Sequence, residues 1–421
     1  MPRRPVQLIL IAAGSILAAI LAVPPTAIAG EAILKCSVAA GDRLRIDATL
    51  TVEVPAETIL PAAIYLVETT SRTDVAVSVQ RDGQNPRWLA WVLSGETRPG
   101  ETRRFELRAG VVPDAGPRGP ARLSVGADEV AVRIAADGVP LLVYHCQHRL
   151  PPEGIDAKNG RSAYLHPVLT PSGQIVTDEF PPDHPHQSGL FLAYTKTEFE
   201  GRTPDFWNLP GGTGRVRFGR LAGLSAGPVF AGFSAEQEHV DLTGLQEKVA
   251  LREAIAVRVW NVGGRNAGYW LIDIQSDQAA ATAAPLKLPE HHYGGAALRG
   301  ARAWSGDLAR FVTSEGKGRV EGNHTRPRWV DLSGPAADGV AGIAMLSHPG
   351  NFRHPEPMRL HPTMPYLVAT PSFLGDWEIR PGQPHTVRYR FVVHDGPLSP
   401  ELADRLWDDF ASPPAVAWES P

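Results

Sequence analysis

The stretch TDEFPPDHPHQSGLFLAYTK, from Thr177 to Lys196, places Asp183, His184 and His186 within four residues. Three chemistries fit such a set. Two imidazoles one residue apart share a face if they lie on a strand, at a spacing suited to one ion, and imidazole serves zinc and copper alike. A carboxylate and an imidazole can instead work as base and acid on a bound sugar. The third reading is a loop held by its polar residues, with Asp183 accepting backbone N–H groups after Pro182. Pro181, Pro182 and Pro185 favour a loop over a strand here.

All 14 histidines lie at or after residue 145, so imidazole chemistry belongs to the later two thirds of the chain. Polar clusters recur there beside proline, glycine and tryptophan: His166 in YLHP, Asp205 to Asn208 in DFWN, Glu290-His291-His292-Tyr293, and His324 with Arg326. A further cluster gathers His348, Asn351, Arg353 and His354. Loops and strand ends are where a β scaffold displays a site. Acid and base roles are expected of His291 or His292 with Glu290 or Asp183. Substrate contacts are expected from His166, His186, Trp207, Arg299, Arg326, His348 and Arg353, aromatic faces covering sugar rings and guanidinium forks holding hydroxyls. His184 and His186 are the candidate metal ligands. HExxH, CxxC and GxSxG patterns are absent, which removes the commonest zinc-protease and serine-hydrolase readings.

The elements that must position these residues are strands. The chain carries 41 glycines and 39 prolines scattered between apolar runs, the texture of many strands and turns. Leu44, Ile46, Ala48, Leu50 and Val52 alternate with polar residues, a period of two that half-buries a strand. Similar runs predict a small immunoglobulin-like β-sandwich over residues 30–115. A Pro/Gly-rich link, VVPDAGPRGPARL, separates it from a larger antiparallel sandwich expected over residues 124–412. PGGTGRVRFG, from Pro210 to Gly219, reads as a turn, since its glycines do not open a helix. One helix is predicted near the end, capped by Ser399, with Pro400 in its first turn and Leu402, Leu406, Trp407 and Phe410 on one face. The fold class expected is therefore all-β with one C-terminal helix.

The quoted loop, with HHYGGAALRG, DFWN and LSHPGNFRHP, resembles the PmoA-like family of secreted or periplasmic proteins, over about Tyr144 to Val393. Where that family's loop continues His-His-Arg, this chain has His186-Gln187-Ser188. The larger sandwich is similar in kind to the galactose-mutarotase-like supersandwich of carbohydrate-active domains, which implies a saccharide ligand and no obligatory cofactor.

Arg3 and Arg4 precede an apolar run from Leu8 to Val23, and Ala27-Ile28-Ala29 follows. Residues 1–29 read as a secretory signal peptide, which implies a periplasmic or extracellular protein with no membrane association after cleavage. A formal net charge of −4 without a basic stripe leaves no source for phosphate-backbone binding, so nucleic acid is set aside. Cys36 and Cys146 are the only cysteines, and in an oxidising compartment they most simply form one disulfide, two buried thiols being the alternative. Three functions are consistent with these features: a carbohydrate-binding or carbohydrate-active protein using histidine and carboxylate chemistry, a zinc- or copper-dependent hydrolase or oxygenase, and a non-catalytic glycan- or partner-binding module.

Overall fold

The computed structural model describes residues 31–70, 74–83, 85–111, 120–337 and 339–419. The expected signal peptide and most of the Pro/Gly-rich link lie outside the described residues. Antiparallel strands dominate, and two large sheets carry eight strands each.

In the small sandwich, Ala32–Ala39, Arg45–Glu53, Ile64–Glu68, Trp88–Thr97 and Thr102–Ala109 supply the main strands. Period-two burial explains them: Leu34, Cys36 and Val38 point into a core with Leu50, Leu66, Trp91, Phe105 and Leu107. The strand Arg45–Glu53 departs from the simple alternation, because its other face is covered as well. Arg45 is buried and pairs with Asp409 of the C-terminal helix at 2.9 Å. Thr49 is likewise buried, accepting a hydrogen bond from Arg390 of the larger sandwich.

In the large sandwich the first sheet runs, strand by strand, Met358–Leu360, Tyr366–Ala369, Gly295–Arg299, Leu190–Ala193, Leu165–Val168, Val139–His145, Ala131–Ala136 and Leu123–Ala127. The second runs Gly214–Ala226, Phe230–Asp241, Lys248–Gly264, Tyr269–Ala280, His385–Asp395, Gly339–Ser347, Trp329–Ala336 and Arg310–Thr313. Their facing sides share one core, in which Tyr144, Leu190 and Leu298 from the first sheet meet Ile255, Ile274 and Phe391 from the second. Part of the segment read as a turn, from Gly214 onward, is the start of a long edge strand.

The C-terminal helix spans Pro400–Ala411, with the Ser399 hydroxyl accepting from the Leu402 N–H. Its apolar face packs Leu402, Leu406, Trp407 and Phe410 against a third cluster built from the outer side of the second sheet. After the helix, Ala415–Glu419 returns to the small sandwich and pairs with Ala32–Ala39. Chain ends 380 residues apart in sequence thus lie in one sheet.

The expected disulfide does not form. Cys36 belongs to the core of the small sandwich and Cys146 to that of the large one, and both are buried free thiols. Burial pushes the Cys36 thiol up to about 12 and Cys146 to about 11, the opposite of what a reactive cysteine needs. Both thiols should resist an aromatic disulfide reagent in the native protein. They should titrate fully in denaturant without reductant, and an absence of titratable thiol there would restore the disulfide.

Candidate functional site

The Pro-rich loop is shaped by its own backbone. His184 N–H donates to the Pro181 carbonyl and Gln187 N–H to that of His184. Gly189 then sits at φ +55, where a Cβ would lie 1.8 Å from the Leu165 carbonyl oxygen, so the loop re-enters the sheet only through glycine. Asp183 accepts the His184 N–H at 3.1 Å, the turn-holding role its position predicts. It also receives two hydrogen bonds from Arg299 Nη2, at 2.9 and 3.1 Å. Arg299 is 1% exposed, and its Nη1 donates to Gln187 Oε1 at 3.1 Å. Gln187 therefore serves as an acceptor for this buried cation.

That ion pair is asymmetric. The Asp183 side chain is 43% exposed and that of Arg299 2%. Asp183→Ala strands a buried guanidinium, whereas Arg299→Met leaves a carboxylate that water can reach. Asp183→Ala is expected to cost about 3 kcal/mol and Arg299→Met about 1–2 kcal/mol, read as urea midpoints followed by tryptophan fluorescence. The reverse order would show that Asp183, not Arg299, is the group that depends on the pair.

Around this anchor the imidazoles gather. The rings of His184 and His186 are 5.7 Å apart, and His361 lies 6.1 Å from His184. His361 is next to Tyr366 at 6.2 Å, Tyr366 to Trp207 at 6.1 Å, and Trp207 to Tyr293 at 5.6 Å. Tyr293 in turn touches both His291 and His292, whose rings are 4.4 Å apart. Because residues 289–294 form a loop instead of a strand, both histidines reach the same surface. Asp205 organises one wall: it accepts hydrogen bonds from Thr195 Oγ1, Asn208 Nδ2 and the Trp207 N–H, while Asn208 Nδ2 also donates to the Tyr293 hydroxyl.

The electrostatics are shared across the cluster. Burial, reinforced by His184 and Arg161, pulls His186 down to about 4, and Asp205 opposes it. Burial, with His292 and Lys196, does the same to His291, which Asp205 also opposes, so this one carboxylate acts on both loops. Burial together with Arg359 and His184 holds His361 at about 4. These imidazoles are neutral at pH 7 and can accept a proton. Among the described residues the Tyr366 hydroxyl and His291 Nε2 are buried without a hydrogen-bond partner.

Other expected members lie elsewhere or do other work. His166 Nδ1 is held by Thr177 Oγ1 at 2.9 Å within the sheet. His348 faces Phe410 of the C-terminal helix and accepts the Gly350 N–H, away from the cluster. Arg326 donates to the carbonyls of Pro355 and Arg353, and Arg353 to those of Pro371, Gly375 and Asp376, so both guanidinium groups are spent on turns. Trp207 is buried between Phe191, Tyr293 and Tyr366 and offers no face to a ligand. Glu290 is exposed at the rim, its carbonyl bound by Lys196. His361 and Tyr366 are the members that sequence reasoning missed, although His361-Pro362 is one of five His-Pro steps in the chain, beside those at His166, His184, His348 and His354.

Among the described residues no group of three or more His, Cys, Asp or Glu side chains is arranged to hold a metal ion. Nor is any helix there long and apolar enough to cross a membrane. Fold and site together define an all-β protein of two joined sandwiches with a histidine- and tyrosine-rich surface on the larger one. The chain belongs to a family of unknown function, DUF6807, whose model matches residues 131–408. No curated protein matches it.

Proposed function

We propose that this protein is exported and binds a saccharide at the surface formed by His186, His361, His291 and Tyr293, transferring protons through its neutral histidines. The observation that carries this reading is the convergence of two distant loops on one surface where His291 Nε2 is buried without a hydrogen-bond partner among the described residues. A buried polar atom without a partner costs about 1–3 kcal/mol, which a ligand hydroxyl would recover. Asp183 is tied to Arg299 and positions the loop, so proton transfer falls to His291 with His186 or His361. Beside this surface, Phe352 and Trp377 line a cavity of about 580 Å³ with Lys287, Arg380 and Glu378, which gives a longer glycan room to continue. The resemblance to PmoA-like proteins supports export and leaves the chemistry to the site.

A panel of mono- and oligosaccharides, read by thermal shift and by product analysis, tests the reading. Stabilisation by at least one sugar, reduced in His291→Ala and His186→Ala, is the expected result. Turnover lost in those variants identifies an enzyme; binding without turnover in the native protein identifies a glycan-binding module. The juxtaposition of His184, His186 and His361 is the one observation favouring a zinc or copper protein, and elemental analysis of untagged protein decides it. Stoichiometric metal retained in the native protein and lost in His184→Ala would displace the sugar reading.

A further inference from the structure

We infer that a second ligand site lies on the opposite sheet, in the groove between the small sandwich, the outer face of the second eight-stranded sheet and the C-terminal helix, and that it takes a neutral oligosaccharide chain. The groove measures about 570 Å³ and is bordered by Asp82 and Gly83 on one side and Phe410 on the other. Grooves between domains are a preferred place for ligands.

Its floor is unusually small. Ser234, Ala256, Gln275 and Arg388 form one cross-strand row, Ser234 opposite Ala256, Ala256 opposite Gln275, and Gln275 opposite Arg388. Three strand spacings make the row roughly 14 Å long, which suits a short chain of rings better than a single ring. Ala254 and Ala256 are exposed at the centre, so packing does not impose their size. They leave a shallow trough on a face where long polar side chains would ordinarily stand.

The polar groups in the trough are poised for a ligand. Ser234 is 7% exposed, lines the groove, and its hydroxyl has no hydrogen-bond partner among the described residues. Arg388 gives Nε to Gln275 Oε1 at 3.0 Å, and its two terminal nitrogens make no hydrogen bond there. Gln275 passes the contact on, donating to Asp277 Oδ2 at 2.8 Å. The remaining charges are paired within the protein: Asp82 with Arg258, Asp273 with Arg390, Glu236 with Arg220. The Asp277 oxygens accept from Gln275 and from the Thr386 hydroxyl, so what is left for a ligand is the two terminal nitrogens of Arg388 and the Ser234 hydroxyl over an apolar floor, the charge of Arg388 being balanced by Asp277 through Gln275. A neutral sugar chain matches this, since its hydroxyls both donate and accept while its C–H faces rest on alanine. This site stands independently of the histidine surface.

Isothermal titration calorimetry of the full protein with neutral glucan, xylan and mannan oligosaccharides of increasing length tests the inference, with uronate oligosaccharides and a polar peptide as competing arms. We expect a neutral oligosaccharide to bind, and its affinity to fall by about tenfold or more in Ala256→Trp, which fills the trough, and in Arg388→Met. Ser234→Ala, which removes one oxygen and threatens no packing, should weaken binding several-fold. The same losses are expected in a His291→Ala background, in which binding at the histidine surface is removed. The inference is overturned if no neutral oligosaccharide binds, if only uronates or the peptide bind, or if binding in the His291→Ala background survives Ala256→Trp and Ser234→Ala.

Discussion

Stability is expected to fall steeply as the pH drops from 6.5 toward 4. His166, His186, His291, His361 and His385 are each held at about 4, in every case by burial first. Between the two values the unfolded chain binds protons that the folded protein refuses, so stability rises with pH across that window. It is fully present above the unfolded value near 6.5, and its loss is complete below about 4. Each group contributes at most about 1.4 kcal/mol per pH unit. Discounting His291 and His361 for their partial exposure still leaves a loss on the order of a few kcal/mol by pH 5. His394 works the other way: burial lowers it, but its ion pair with Asp331 at 2.9 Å more than compensates, and its contribution is lost as pH rises. Glu356 and Asp409, both raised by burial, act in the same sense, and three such groups do not offset five. Urea midpoints at pH 7 and pH 5 check this, and equal midpoints would sink it. In His186→Gln and His361→Gln the slope should flatten.

Period-two alternation made most strands legible, because a half-buried strand writes its core face into the sequence. Two features escaped it. Arg45 and Thr49 look like solvent residues, yet the large sandwich and the helix cover them; their partners Asp409 and Arg390 lie more than 340 positions away. The strand Ala415–Glu419 is short and follows a helix, so only its partner Ala32–Ala39 gives it meaning. The cysteines mislead for a related reason: an even count suggests a pair, but each thiol fills a different core.

The site was half legible. Residue types located the Pro-rich loop and the Glu290–Tyr293 loop, and the structure brings them together through Tyr366 and Trp207. Sequence alone cannot tell a guanidinium aimed at a ligand from one aimed at a carbonyl. Arg326 and Arg353 stand beside tight turns whose unpaired carbonyls claim them, while Arg299, on a strand, meets a carboxylate. Nor does spacing reveal which apolar-looking segment turns its histidine outward, which is how His361 was missed.

The largest effect of a single substitution is expected inside the sandwich, where His239 Nε2 meets Glu253 Oε2 at 2.9 Å and both side chains are fully buried. Glu253 Oε1 accepts from Ser276 Oγ at 2.6 Å, Gln278 Nε2 donates to the same hydroxyl, and the Tyr194 hydroxyl donates to Gln278 Oε1. Gln237, Glu253 and Gln278 stand opposite one another on adjacent strands, so a polar row crosses an otherwise apolar core. His239→Leu removes one partner and leaves Glu253 buried with Ser276 as its remaining side-chain donor, at a cost of about 3–5 kcal/mol. Glu253→Gln keeps a neutral hydrogen-bonding group beside an imidazole and should cost about 1 kcal/mol. The double variant His239→Leu/Glu253→Leu replaces both by apolar groups and is expected to be more stable than His239→Leu alone, because no buried carboxylate is then left without its imidazole, and Ser276, which loses its acceptor, keeps the bond from Gln278. Urea unfolding of the three variants resolves the order. If His239→Leu alone costs less than the double variant, the pair is not what holds this row, and the stability of the polar core has to come from the Tyr194 and Gln278 contacts instead.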